Sequence, residues 1–410
     1  MMSVTEQPTP VAPPPPEEEE HLGARQRVMR SLAEGELSAL RVILMLALIW
    51  IIFQVQEERF LSAANLTNLI LQITSIGLIS VGVVLVLLLG EIDLSVGAVS
   101  GLCGGVMAVL TVKHGWDPVL GIAAALALGA AIGTANGLMV TRFGIPSFVV
   151  TLAGQLAWQG ALLWVLGSTG TVNLPPSIIT DLTSTFYGQA VGWALVVLSV
   201  GGYAYVALRR RRMRVAAGLE APSLAFVVAG IVAMGAVAAG SVLVFTADRG
   251  VPLAALILVG FVMFFTWLTE RTQFGREVYA TGGNIEAARR AGIHVDRVRV
   301  FVFALASTMA AAGGVMAGSR LIAVNQSSGG SDVLLLSIAG PVIAGVSLFG
   351  GRGRVWAALL GALVIGSISN GMDLLALTSS VKYMITGAVL AIAVTIDALA
   401  RRQRQQTGRH

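Results

Sequence analysis

Leu66 to Gly90 reads LTNLILQITSIGLISVGVVLVLLLG, 25 residues without one charged side chain, followed at once by Glu91-Ile92-Asp93-Leu94-Ser95-Val96-Gly97. A helix needs about 20 apolar residues to cross the hydrocarbon core of a bilayer, and the buried helix of a soluble protein is rarely this long or this evenly apolar. The stretch therefore reads as a membrane span that stops at a pair of carboxylates. Only 12% of the chain is charged and 55% is hydrophobic, against about 25% charged in soluble proteins. The 48 glycines fit the same class, because small residues let helices in lipid approach closely.

Working outward, similar runs fall at 39–55, 66–90, 95–113, 118–140, 147–167, 189–208, 222–246, 251–269, 299–318, 332–349, 355–376 and 381–399. Some could be half-spans, so the expectation is an all-α polytopic membrane protein of roughly 10–12 transmembrane helices, with a membrane domain over 39–399. Residues 1–38 carry the proline run Pro13 to Pro16 and the acidic run Glu17 to Glu20. Such a segment has too little apolar surface to offset its ordering entropy, so a disordered cytoplasmic tail is expected. It lacks the basic start and early apolar core of a signal peptide.

Arginine placement sets the orientation. Alternate loops near 91–95, 141–146, 209–221, 270–298, 350–354 and the tail at 400–410 hold most of the basic residues, among them Arg142, Arg209 to Arg212 and Arg214. The intervening loops hold little beyond Lys113, Arg249 and Arg320. Basic loops stay in the cytoplasm, so both termini are expected there. The same placement argues against a nucleic-acid partner, since the basic residues are spread among short loops between apolar runs.

Three stretches carry chemistry. In the first, Glu91 and Asp93 stand between apolar runs, where ionisable groups usually face a cavity or a partner. Ser95 and Gly97 follow, and the segment is either a wet turn capping the next helix or part of a solute path or gate. In the second, Pro146 and Ser147 open a span in which Thr151, Gln155, Trp158 and Gln159 share one helical face. That stripe is either a pathway for a hydroxyl-rich solute or an interhelical hydrogen-bond seam. In the third, the loop at 270–298, Asn284 is placed to cap a short helix from Ile285 to Ala291 that Gly292 ends. A small amphiphilic helix bounded by glycines suits docking to a partner, and the residues alone equally allow an ordinary solvated loop.

No phosphate-binding Gly-x-x-x-x-Gly-Lys-Ser/Thr sequence occurs, so ATP hydrolysis by this chain is not expected. The four histidines are dispersed without metal-ligand spacing, and no metal or cofactor is expected. Cys103, the only cysteine, sits among small apolar residues and reads as a packing residue.

The loop at 270–298 resembles the coupling loop of permeases from the ribose, galactose and xylose branch of bacterial ABC sugar importers. Glu91 to Gly97, Asn136-Gly137, Pro146 to Gly154 and Asn370-Gly371-Met372 resemble the same family, in its order, and the extra segment pair at 189–246 is most like the xylose type. The resemblance implies a homodimeric multi-pass permease in the cell membrane, driven by a separate cytoplasmic ATPase and supplied with a monosaccharide, such as a pentose, by an extracytoplasmic sugar-binding protein. It places Gly275, Arg276, Tyr279, Asn284, Ala287, Ala288 and Gly292 at the ATPase contact. Glu91, Asp93, Ser95 and Gly97 fall in its hallmark motif, and Asn136, Ser147, Thr151, Gln155 and Trp158 join them as candidates for the path or gate. The acidic Glu-Leu-Asp common in the xylose branch before the third-last span is replaced here by Val333-Leu334-Leu335, with Asp332 upstream. The residues alone leave open an ion- or proton-coupled secondary transporter using Glu91 and Asp93, or a membrane scaffold.

Overall fold

The computed structural model describes residues 37–388 together with Ala391 and Thr395. The tail expected over 1–38 lies almost wholly outside the described residues, and the basic tail at 400–410 lies wholly outside them. The elements in chain order are α1 (Leu37–Gln56), α2 (Ala63–Leu88), α3 (Val96–Val112), α4 (Pro118–Arg142), α5 (Ser147–Leu166), β1 (Thr171–Asn173) and α6 (Ile178–Ser184). There follow β2 (Phe186–Tyr187), α7 (Gln189–Ala216), α8 (Leu224–Thr246), β3 (Val251–Pro252), α9 (Leu253–Arg271), α10 (Gln273–Gly283) and α11 (Ile285–Arg290). The last are α12 (Val295–Leu321), β4 (Ala323–Asn325), α13 (Ser331–Ile343), α14 (Trp356–Leu374) and a further helix at 379–388.

The chain is an all-α polytopic membrane protein. Eight helices are long and apolar enough to cross a membrane, and three shorter apolar helices join them among the described residues. Each span expected from 39–55 through 355–376 coincides with a helix, with two adjustments, and part of the span expected at 381–399 lies outside the described residues. α13 ends at Ile343 instead of near 349, because Gly345 takes φ 95° and the Val346 N–H turns back to the Pro341 carbonyl at 2.9 Å. α7 runs on through its arginine run to Ala216.

α12 is the hub and packs against α2, α3, α4 and α6. The close approach is made by glycines. On α4, Gly129, Gly133 and Gly137 recur every fourth residue and face α12, and a Cβ on Gly137 would sit 2.7 Å from the Val300 Cα. On α2, a Cβ on Gly82 would meet the Ala306 carbonyl oxygen at 2.6 Å. Contacts this tight let dispersion and backbone packing hold helices together where the hydrophobic effect gives no help.

Loop partners confirm the parity of the spans. At one end, the Gly351 N–H donates to the Leu88 carbonyl (2.9 Å), the Tyr279 hydroxyl to the Gly353 carbonyl (2.8 Å), and the Ile92 N–H to Ser147 Oγ (3.3 Å). These unite the loops after α2, α4, α9 and α13, all on the side rich in arginine. At the other end β1 pairs antiparallel with β4 and β2 with β3, and Lys113 Nζ donates to the Leu166 carbonyl at 2.8 Å.

The pair α7–α8 stands apart. The only buried residues of these two helices are Gly192 and Val242, and a Cβ on Gly192 would touch both Val242 and Val251 beside β3. The rest of the hairpin is half-buried or exposed, its two helices packing mainly on each other with a small contact of α8 on α2, as suits a lipid-facing attachment.

Candidate functional site

At the basic end, α2 stops in a turn that its own sequence dictates. Gly90 takes φ 77°, its N–H bonds to the Leu87 carbonyl at 2.9 Å, and the Glu91 N–H reaches the Val86 carbonyl at 3.2 Å. This is a glycine-dependent C-cap. The next residues are not helical, and their peptide groups find partners on α5. Ser147 Oγ accepts from the Ile92 N–H, and Thr151 Oγ1 accepts from the Leu94 N–H at 3.0 Å. Irregular backbone between two spans is tolerated where protein supplies its hydrogen bonds. Segment 91–95 is such a break.

The side chains of the break have divided roles. Glu91 pairs with Arg299 at the start of α12, with only 13% and 16% of the two side chains exposed. Asp93 is 4% exposed, and its Oδ1 accepts both the Ser95 N–H (2.8 Å) and the Ser95 hydroxyl (2.6 Å). Asn136 Nδ2 on α4 donates to Ser95 Oγ at 3.3 Å. In the wet-turn alternative Ser95 would cap α3; its hydroxyl is turned back to Asp93 and makes no capping bond. Gly97 lies against the 329–330 loop, where a Cβ would sit 3.0 Å from the Gly329 carbonyl oxygen.

Seven of the nine expected path residues thus gather in one cluster: Glu91, Asp93, Ser95, Gly97, Asn136, Ser147 and Thr151. Trp158 and Gln155 lie farther along α5. Trp158 Nε1 is buried without a hydrogen-bond partner, Gln155 makes no hydrogen bond among the described residues, and Gln159 Nε2 donates to the Gln326 carbonyl at 3.0 Å.

The loop at 270–298 contains two helices where one was expected. Thr272 Oγ1 caps α10 by accepting from the Gly275 N–H (3.3 Å), and Asn284 Oδ1 caps α11 by accepting from the Ala287 N–H (3.0 Å). Gly292 at φ 83° ends α11. The structure separates the expected ATPase-contact residues into two groups. Arg276, Asn284, Ala287 and Gly292 are exposed, whereas Gly275 and Ala288 are buried within this chain. Tyr279 is half-buried on its bond to Gly353. Burial, reinforced by the charge of Glu270, raises its phenol above the ordinary range, against smaller opposing effects of Arg354 and Thr269.

α10 touches the end of α2, just before the break. A Cβ on Gly282 would lie 2.8 Å from the Gly351 nitrogen and 2.9 Å from the Leu88 carbonyl carbon, and one on Gly350 would lie 2.7 Å from the Gly90 nitrogen. Helical Gly282 and the two glycine turns at Gly90 and Gly350–Gly351 therefore interlock, so movement of α10 reaches the end of α2 through backbone alone.

The opposite end holds a feature that sequence reading missed: a cavity of about 920 Å³. Asn65, Asn68 and Gln72 of α2, Asp181 of α6, Arg320 of α12 and Asp373 of α14 are among its lining residues. Its wall carries a ladder in which Asn65 Nδ2 donates to Asn370 Oδ1 (2.7 Å), Asn370 Nδ2 to Gln72 Oε1 (3.4 Å) and Gln72 Nε2 to Asp373 Oδ2 (3.3 Å). A usable signal was present: Arg249 and Arg320, two of the three exceptions to the charge rule, both line it.

Comparison with known proteins agrees with this architecture. Residues 65–394 match the family model described as branched-chain amino acid transport system / permease component. The chain is 37% identical to the xylose transport system permease protein XylH of Escherichia coli (strain K12), over 85% of this chain and 88% of that protein. It is 35% identical to XylH of Haemophilus influenzae, over 87% and 95% of the respective chains. To the ribose import permease protein RbsC of Bacillus subtilis (strain 168) it is 32% identical, over 89% and 94%. No solved structure matches the chain. A polytopic helical chain whose apolar spans, glycine turns and paired loops run within a family match of this length belongs to that family of transport-system permease components.

Proposed function

We propose that the chain is the membrane-spanning subunit of an ATP-driven monosaccharide importer, with D-xylose the leading substrate. The observation that carries this is the near full-length similarity to xylose transport permeases. Hydrolysis belongs to a separate cytoplasmic ATPase, sugar arrives on an extracytoplasmic binding protein, and a second permease copy completes the path. Both termini face the cytoplasm.

In this reading the ATPase engages the exposed residues of α10 and α11, with Arg276, Asn284, Ala287 and Gly292 as contacts. Nucleotide binding closes the ATPase and displaces α10. Gly282 carries the displacement to Leu88 and Gly351, and so to the break at 91–95. Glu91 and Arg299 tie that break to α12, the hub of the bundle, so one push reorients several spans. The ATPase drives the change because its nucleotide states bind the two permease conformations unequally. Ser95, Asn136, Ser147 and Thr151 hold the break, and Asp93, Gly97, Gln155 and Trp158 complete the gate region.

The test is reconstitution into liposomes with its partner ATPase and sugar-binding protein. ATP-dependent accumulation of radiolabelled xylose is expected, with none from the permease alone. Proton-driven uptake by the permease alone would overturn the proposal.

A further inference from the structure

The cavity at the end away from the basic loops is not explained by the break or by the coupling helices. Among the described residues four charged side chains line it, Asp181 and Asp373 against Arg249 and Arg320, and their formal charges sum to zero. Two of the four are already engaged. Arg249 donates to Asp248 Oδ2 (2.9 Å) and Asn68 Oδ1 (2.8 Å) and lies 4.5 Å over the Phe186 ring. Asp373 is bonded by Lys382 and Gln72. Asp181 and Arg320 are exposed to the cavity and make no direct ion pair or side-chain hydrogen bond among the described residues, although Arg320 feels the charge of Asp373 across it.

We infer that this cavity is the first acceptor site for the sugar, with Asp181 and Arg320 as its ligand-gripping side chains. The inference rests on the importer reading above. A carboxylate only accepts hydrogen bonds and a guanidinium only donates them, whereas each hydroxyl of a sugar does both. One open acceptor and one open donor in a neutral cavity therefore match a neutral polyol. The charge-assisted bonds they make are the strong ones available. The volume is ample for a monosaccharide with bound water and lies within the usual range for small-molecule sites. A zwitterionic amino acid could also bridge Asp181 and Arg320. The amide ladder Asn65–Asn370–Gln72 beside them argues for hydroxyls rather than a branched aliphatic side chain, which would leave those amides facing apolar groups.

The experiment uses the full transporter in liposomes with its ATPase and binding protein, comparing wild type with D181N and R320Q. Both sites are exposed, so the variants fold, which an unchanged melting temperature verifies. The expected result is a loss of xylose uptake of at least tenfold in each variant, while sugar-free binding protein stimulates ATP hydrolysis as in wild type. Wild-type uptake with both variants unaffected would overturn the site and leave the importer reading standing. Equal loss of stimulation by sugar-free binding protein would also overturn it, by making the two residues docking contacts. Competition by leucine but not by monosaccharides would overturn it in favour of an amino-acid site. Absence of any wild-type sugar uptake would overturn both readings.

Discussion

Replacing Glu91 by Gln, or Arg299 by Met, removes one member of an ion pair that joins the break after α2 to the start of α12. Losing one partner of a fully buried pair costs about 3–5 kcal/mol, because the survivor is left charged without compensation. Here the two side chains keep 13% and 16% of their exposure, so some hydration returns and about 2–4 kcal/mol is expected for each single variant. Arg299 Nε is already buried without a partner, so E91Q strands a guanidinium that has little else to bond. In E91Q/R299M neither charge remains, and the loss should fall well below the sum, by about 2 kcal/mol. Equilibrium unfolding in mixed SDS micelles, followed by tryptophan fluorescence, measures all four corners of the cycle. Losses that add to within about 0.5 kcal/mol would refute the pair as a structural tie. The same cycle bears on the proton-carrier reading, because Glu91 must leave Arg299 before it can shuttle anything.

Further expectations follow from particular contacts. A287W should cut ATP-driven uptake at least tenfold while leaving the melting temperature unchanged, since Ala287 is exposed. A288W should instead destabilise by about 1–3 kcal/mol, as overpacking does, because Ala288 is 3% exposed; thermal unfolding separates the two. Gly282→Val drives a side chain into the backbone of Leu88 and Gly351, and monodispersity on size exclusion should be lost or uptake abolished. For Tyr279, the phenol of the folded protein titrates above its unfolded value of about 10. Its contribution to stability is therefore full below pH 10 and is lost as pH rises through the folded value. The difference in phenolate absorbance between wild type and Y279F should place the ionisation of this residue above the ordinary tyrosine value of about 10.

The helices were legible in the sequence because apolar length is a local property. Leu66 to Gly90 declares itself without reference to any other residue. The pairing of loops followed from arginine placement alone, and Tyr279–Gly353 and Gly351–Leu88 bear it out. What stayed hidden depends on distant partners. β1 has three residues and no periodicity, and it is a strand only because 323–325 lies beside it. α6 is seven residues long, too short for a repeating pattern to show. α10 was within reach, since Gly275, Val278 and Thr281 share one buried face. The cavity draws on five separated stretches, and no one of them reads as a site. The division of Ala287 from Ala288 needed the packing of α11 on α12, which no spacing in the loop could supply.

The sparse attachment of α7–α8 has a mechanical consequence. From Gln189 to Leu208, the apolar part of α7 measures about 30 Å, the thickness of the hydrocarbon core. Arg209 to Arg212 then fall at the level of lipid phosphates, and the β2–β3 ribbon sits at the other surface. A hairpin that spans the bilayer in this way would act as a depth gauge, meeting both headgroup layers while holding the bundle at few points. Bilayers a few ångströms thicker or thinner should therefore change how deep the gate and the outer cavity ride, without touching a single residue of either.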